Sequence, residues 1–201
     1  MTNKLLRLTL AVALLLFATF AFANAPQVLN GGFETGDFTS WTQFGDTSFN
    51  GVCGPPSGGC PDGQAPFAGN YAAYFGPDGD TGGIYQDIDT VVGQQYTVSF
   101  YLALPNGGTP NFFQVQFGTA SLSLTDFPGT FQWGLFQFTE IATTTTTRLT
   151  FTFRNDPDYW FLDNVNVTTG GGGTTPEPGT LVLFGSGILG IAGVVRRKFH
   201  V

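Results

Sequence analysis

Apolar and polar residues alternate over many short stretches of the chain, and glycine, proline, asparagine and aspartate separate these stretches. Residues 111–117 alternate aromatic or branched side chains with glutamine, and residues 148–154 alternate them with threonine. A period of two indicates β-strands with one buried face, whereas no window shows a convincing helical period of 3.6 residues. The pattern predicts strands at 27–30, 41–45, 70–75, 83–88, 95–103, 111–117, 131–139, 148–154 and 159–167.

Eight to ten short strands without intervening helices are typical of an antiparallel β-sandwich of the jelly-roll type. We therefore predict one all-β domain at residues 24–168, a length that suits a single hydrophobic core. In its last strand, strict alternation would place Phe161, Asp163, Val165 and Val167 on one face.

The first 23 residues have the three parts of a secretory signal peptide. Lys4 and Arg7 make the start positive, an apolar stretch follows, and Ala21-Phe22-Ala23 supplies small residues for cleavage. We predict a signal helix at 1–23 and a mature chain that starts at Asn24. The alternative is an uncleaved N-terminal anchor.

The C-terminal end combines three features in a fixed order. After a Gly/Thr linker at 169–175, Pro176-Glu177-Pro178 is followed by an apolar run without charge and then by Arg196, Arg197 and Lys198. We predict a tail at 176–201 with a transmembrane helix at 180–195 and its basic cluster in the cytoplasm. About sixteen residues at ~1.5 Å each span only ~24 Å, less than the ~30 Å core of a bilayer, which suits a transient anchor.

This ordered set resembles the PEP-CTERM sorting domain of bacterial exported proteins over about residues 174–199. The resemblance implies recognition by an exosortase, a membrane-embedded sorting enzyme, and cutting near the motif. It also implies an inner-membrane-anchored intermediate that passes to the cell envelope, the surface or the extracellular matrix. The alternative is a plain C-terminal membrane anchor.

Charge within the predicted domain is strongly one-sided. Residues 24–168 contain two basic and thirteen acidic residues, a net charge of −11. Binding to nucleic acid requires lysines and arginines that neutralise phosphates, so we expect no nucleic-acid partner. The domain has no histidine and no lysine, which excludes a Ser-His-Asp triad, a Cys-His pair, a histidine zinc site and a Schiff base. Paired carboxylates are the remaining enzymatic route, and we expect that the protein is not an enzyme.

Two cysteines enclose a short loop rich in glycine and proline. Outside the cytoplasm, a pair as close as Cys53 and Cys60 is expected to form a local disulfide. A metal site would need further ligands nearby, and a redox motif would need a two-residue gap.

Three further segments resemble carbohydrate-binding-module-like jelly rolls with a galactose-binding-like fold. They are Asn30-Gly31-Gly32-Phe33-Glu34-Thr35-Gly36 followed by Trp41, the stretch 84–100 that begins Ile84-Tyr85-Gln86-Asp87-Ile88, and the closing stretch 161–167. Related sandwiches hold a structural calcium between a glutamate of the opening segment and an aspartate of the closing strand. The resemblance therefore implies a calcium site at Glu34 and Asp163. The alternative is that Asp163 accepts backbone hydrogen bonds while Glu34 is solvated.

The same resemblance implies sugar recognition by aromatic rings and a few polar groups. The candidates are Trp41, Tyr85 and Trp133, with Gln86 as a polar contact, and core packing is the alternative for each aromatic residue. We expect an exported binding protein whose partner is an extracellular polysaccharide. The alternatives are a structural or adhesive matrix component without a small ligand and, less favoured, a glycan-active enzyme that uses Glu34 or Glu140.

Overall fold

A computed structural model of the chain describes residues 27–55, 59–156 and 158–170. The predicted signal peptide, the sorting motif and the predicted transmembrane segment lie outside these residues. Ten strands and one short 3₁₀ turn (Pro61–Gly63) make up the regular structure of the described part. The strands are β1 (Thr42–Gly45), β2 (Asn50–Cys53), β3 (Ala72–Phe75), β4 (Gly82–Asp89), β5 (Gln95–Leu104), β6 (Asn111–Phe117), β7 (Ala120–Thr125), β8 (Phe131–Ile141), β9 (Thr146–Asn155) and β10 (Trp160–Thr169).

The strands form two five-stranded antiparallel sheets, which confirms the predicted all-β sandwich. Sheet I has the order β1-β4-β9-β6-β7, and sheet II has the order β2-β3-β10-β5-β8. No helix in the part of the chain that the structure describes is long and apolar enough to cross a membrane.

Aromatic side chains from both sheets fill the space between them. Phe75 of sheet II stacks on Phe153 of sheet I with ring centres 4.0 Å apart, and Phe100 of sheet II packs edge-on against Phe151 of sheet I. All four rings are completely buried. Burial of each such side chain contributes about 1.5–3 kcal/mol, so this layer holds the two sheets together.

The alternation predicted for the last strand is wrong at its centre. The pairing of β10 with β5 shifts between Asp163 and Asn166, and Asn164 has a positive φ of 50°. This irregularity adds a residue to one side of the ladder, so the side chains change faces. Phe161 packs in the cluster outside sheet II, whereas Val165 and Val167 join the core.

Candidate functional site

The outer face of sheet I carries polar side chains around one tyrosine. Alternate residues of a strand point to the same face, and paired residues on neighbouring strands lie side by side. Strand register therefore forms two adjacent rows across the sheet. The first row is Thr42, Tyr85, Thr150, Gln116 and Ser121, and the second is Phe44, Gly83, Thr152, Gln114 and Ser123.

Arg148 covers part of the Tyr85 ring. Its guanidinium carbon lies 4.0 Å from the ring centre, a cation–π arrangement. Asp87 accepts hydrogen bonds from Nε and from Nη2 of Arg148, at 2.7 and 2.9 Å. These bonds lower the pKa of Asp87 and raise that of Arg148. The arginine on this face is thus held in place, and a carboxylate already balances its charge.

A shallow depression of about 180 Å³ adjoins Tyr85. Gln116, Gly118, Arg148 and Thr150 line it. Amide, hydroxyl and guanidinium groups can all exchange hydrogen bonds with the hydroxyl groups of a sugar. This depression and the tyrosine beside it form the candidate site.

A second depression, of about 390 Å³, lies at one end of the sandwich. Its lining comprises Gln95, Thr119, Thr139, Glu140, Ile141 and Thr143. Glu140 accepts hydrogen bonds from the backbone N–H and the hydroxyl of Thr119 there. Neither depression has an aromatic residue in its lining, but Arg148 and Thr150 of the first one contact or pair with Tyr85. The first depression therefore has a neighbouring ring that a sugar could contact.

Gln86 faces the opposite side of β4 from its neighbour Tyr85. Its side chain is buried, and its amide exchanges hydrogen bonds with the backbone of Leu29 and donates another to the carbonyl of Ser40. Those bonds attach the N-terminal segment to sheet I. The predicted pairing of Tyr85 with Gln86 on one binding surface is therefore not found.

Trp41 lies in the core. Its ring stacks on Phe33 and packs edge-on against Phe151, and its indole N–H donates to the carbonyl of Asn30 at 3.1 Å. Only 7% of the residue is exposed. The position agrees with the core-packing alternative for this residue.

Trp133 lies on the outer face of sheet II, on the other side of the sandwich from Tyr85. The half-buried indole donates a hydrogen bond to the carbonyl of Ala65 at 2.9 Å and packs edge-on against Phe67 and Phe161. The structure therefore does not bring Tyr85 and Trp133 into one site.

The loop that Trp133 contacts covers part of this outer face. It connects β2 to β3, and the predicted disulfide between Cys53 and Cys60 is present at its start. Further along the loop, Phe67 stacks on Tyr101 with ring centres 3.4 Å apart. We call the segment from Cys53 to Tyr71 the disulfide loop.

Glu34 and Asp163 approach each other beneath the disulfide loop. A Cβ atom on Gly32 would lie 3.6 Å from Cγ of Glu34 and 3.9 Å from Oδ1 of Asp163. Asp163 is fully buried, and burial raises its pKa to about 6, with a smaller contribution from the charge of Glu34. The two predicted ligands are thus neighbours.

Backbone N–H groups already bind both carboxylates. Asp163 accepts from Ala68 at 3.0 Å and from Asn164 at 2.6 Å, and Glu34 accepts from Asn70 and Tyr71. Oε1 of Glu34 accepts from both Asn70 and Tyr71, whereas Oε2 accepts only from Asn70 and keeps a lone pair suitable for a cation. The described residues contain no cluster of three or more carboxylate, histidine or cysteine side chains that could hold a metal ion. A calcium ion would therefore take its other ligands from backbone carbonyls or water.

Comparison with known proteins gives a family match at the C-terminus and structural matches for the sandwich. Residues 174–198 match the PEP-CTERM protein-sorting motif. No curated protein matches the sequence. Each structural match below is under 25% identical and so shows the fold alone.

One match is TmCBM61 in complex with β-1,4-galactotriose, with a TM-score of 0.58 and 20% identity over 72% of this chain and 99% of that one. Another is a family 16 carbohydrate-binding module, with a TM-score of 0.51 and 15% identity over 70% and 98% of the two chains. The Stig cyclase Fisc from Fischerella sp. TAU also matches, with a TM-score of 0.54 and 16% identity over 73% and 97%. The chain thus carries a PEP-CTERM protein-sorting motif, C-terminal to a β-sandwich that has the fold of carbohydrate-binding modules.

Proposed function

We propose that this is an exported surface or matrix protein whose sandwich binds a polysaccharide on the outer face of sheet I. The observation that carries the proposal is that Thr150 and Gln116, which line the depression with Arg148, share one row of the sheet with Tyr85. An exposed run of amides and hydroxyls along a sheet can follow several residues of an extended glycan, and the part of the Tyr85 ring that Arg148 leaves uncovered supplies apolar area.

The ligand proposed here is an uncharged glycan. Asp87 already neutralises Arg148, and Asp156 pairs with Arg154, the second arginine of β9, at 2.7 Å. These are the two basic residues of the predicted domain, whose net charge is −11. An acidic polysaccharide would meet repulsion without a free cation to offset it.

Two terminal segments support the proposed transport to the surface. The predicted signal peptide at 1–23 would direct export, and an exosortase would recognise the motif at Pro176-Glu177-Pro178. Until that enzyme acts, the apolar run at 180–195 would anchor the chain in the inner membrane. The sandwich would then face the outside during sorting.

A structural calcium between Glu34 and Asp163 forms part of the proposal. The support is that two carboxylates lie together, with the buried one near no described cation, and Ca²⁺ favours oxygen ligands of this kind. When bound, the ion would neutralise the pair. It would also stabilise the disulfide loop, whose backbone both carboxylates bind.

The proposal is tested by titrating the full chain with neutral glycans, beginning with β-1,4-galactan, xylan and mixed-linkage glucan, with and without calcium. Isothermal calorimetry should show saturable binding to at least one of them. Absence of binding to every glycan would contradict the proposal and favour a structural or adhesive matrix component. Turnover that depends on Glu34 or Glu140 would instead favour a glycan-active enzyme.

A further inference from the structure

The turn between β4 and β5 presents two adjacent valines to solvent. In Val91-Val92-Gly93-Gln94, the backbone N–H of Gln94 donates to the carbonyl of Val91 at 3.0 Å, and Gly93 has a φ of +82°. Those features mark a turn of type II, with Val92 at its first central position. Val91 is 45% exposed and Val92 is 58% exposed. Turn positions usually carry glycine, proline or polar residues, so two adjacent exposed valines are unusual there.

The backbone around this turn is firmly held. The N–H of Val91 donates to the hydroxyl of the buried Tyr96 at 2.8 Å, and the N–H of Gly93 donates to the carbonyl of Ala142 at 2.7 Å. Ile141, which is 56% exposed, immediately precedes Ala142 at the end of β8. The three side chains at this end of the sandwich form what we call the aliphatic tip: Val91, Val92 and Ile141.

The chain leaves the described domain beside this tip. The N–H of Gly170 donates to the carbonyl of Gln95 at 2.8 Å, and Gln95 pairs with Ile141 across β5 and β8. Thr180, where the predicted membrane segment begins, lies only ten positions after Gly170. A glycine-rich linker of that length has a root-mean-square span of about 16–19 Å. An anchored chain would therefore keep this end of the sandwich close to the bilayer.

We propose that the aliphatic tip inserts into the surface of the lipid bilayer while the C-terminal segment is anchored. The proposal rests on the membrane anchoring proposed above. A short linker makes the contact intramolecular, with an effective concentration of about millimolar, so a few aliphatic side chains suffice for docking. Burial of apolar area at the lipid interface supplies the free energy.

The charge near the tip indicates which lipid surface fits. Asp89 ends β4 just before the turn, and Glu140 precedes Ile141. No basic residue occurs in the stretches 86–96 and 138–147. The tip therefore docks on a zwitterionic lipid surface, because an anionic lipid surface would repel these carboxylates.

This docking would leave the candidate glycan site open. Tyr85 precedes Val91 by six residues, which corresponds to about 20 Å along an extended strand. The outer face of sheet I would then lie outside the lipid contact and remain exposed to solvent. Docking at the tip would thus orient the domain without covering Tyr85.

The test uses the full chain, purified from bacterial membranes and reconstituted in phosphatidylcholine vesicles. Because Cys53 and Cys60 are paired, Val92→Cys supplies one free thiol for a polarity-sensitive fluorophore, and Ile141→Cys gives a second tip position in case the first variant folds poorly. Leu135→Cys is the matched control, since Leu135 is 55% exposed but lies in the middle of β8. Spin-labelled lipids report contact with the bilayer by quenching, and flotation reports anchoring.

In phosphatidylcholine vesicles, the fluorophore should be blue-shifted and quenched at positions 92 and 141, and unquenched at position 135. In vesicles rich in phosphatidylglycerol, quenching at the two tip positions should be weaker. A chain that floats with the vesicles but keeps a water-exposed, unquenched fluorophore at Val92 overturns the docking and leaves the anchoring intact. Equal quenching at all three positions also overturns it, since contact would then not be specific to the tip. A chain that does not float contradicts the anchoring itself, and the docking is then overturned with it.

Discussion

Asp87 holds the guanidinium of Arg148 with two hydrogen bonds, at 2.7 and 2.9 Å, on neighbouring strands of sheet I. The pair fixes the arginine against the ring of Tyr85, 4.0 Å from its centre. One wall of the candidate site is thus held in position before any ligand arrives. Preorganisation of this kind lowers the entropy cost of binding.

Asp87→Asn should weaken glycan binding while leaving the fold stable. The substitution frees Arg148 to leave its fixed position over Tyr85, so the preformed wall of the depression is lost. An exposed ion pair contributes little to stability. Calorimetric titration and urea unfolding measure the two effects separately. Asp156→Asn is the matched control because it breaks the corresponding pair with Arg154, six residues along β9 and outside the depression. Equal loss of affinity in both variants would contradict this role for Asp87.

Asp158 should make the domain less stable as the pH rises. Burial raises its pKa to about 6, with a further contribution from its hydrogen bond with Asp62. The folded state therefore binds this proton more tightly than the unfolded state does, so the free energy of unfolding falls between about pH 4 and about pH 7. Asp158→Asn should flatten part of this dependence and stabilise the domain at neutral pH.

Urea unfolding at several pH values checks the prediction for Asp158. Thr139→Ser, at an exposed position of β8 that carries no ionisable group, should leave the pH dependence unchanged. A wild-type slope that persists in full in Asp158→Asn would show that the carboxyl group does not titrate as described.

Calcium should stabilise the wild-type domain through Asp163. A ligand that binds only the folded state adds about 2.7 kcal/mol when present at 100 times its dissociation constant. The midpoint temperature of thermal unfolding should rise in millimolar calcium, and Asp163→Asn should abolish this rise. Asp158→Asn, which alters a carboxyl group of similarly raised pKa away from Glu34, should respond like wild type. A shift that survives in Asp163→Asn would exclude this pair as the site.

Reduction of the disulfide should destabilise the domain without affecting the candidate glycan site. The bond joins residues seven apart, and closure of so short a loop contributes roughly 2–3 kcal/mol. The disulfide loop lies on sheet II, whereas Tyr85 lies on the outer face of sheet I. Urea unfolding with and without reductant should reveal the loss of stability. Glycan affinity measured on the fraction that stays folded should match that of the oxidised protein.

The sequence alone predicts most of the strands because their inward residues are aromatic or branched. The strand predicted at 111–117 coincides with β6, and those at 95–103 and 148–154 fall within β5 and β9. β2 and β7 were not predicted. β7 alternates serine with leucine or alanine at the edge of sheet I, and β2 is four residues long with a central glycine. Edge strands bury little surface, which weakens their sequence pattern. The segment predicted at 27–30 contains no strand.

The candidate site was harder to predict because it depends on strand register. Arg148 and Gln116 join Tyr85 only when β9 pairs with both β4 and β6, and nothing in the local sequence encodes these pairings. The face of Gln86 could have been inferred from alternation, since Ile84 and Ile88 place it inside. The change of faces in β10 could not, because Asn164 adopts its positive φ within a stretch that reads as a regular strand.

Glycan affinity of Tyr85→Ala compared with Trp133→Ala tests the central claim most directly. Both substitutions remove an aromatic side chain that is partly accessible, but from opposite faces of the sandwich. If polysaccharide binds on sheet I, Tyr85→Ala should lose most of the calorimetric signal. Trp133→Ala should keep the signal and only loosen the disulfide loop. Full binding by folded Tyr85→Ala, or loss confined to Trp133→Ala, would contradict the claim.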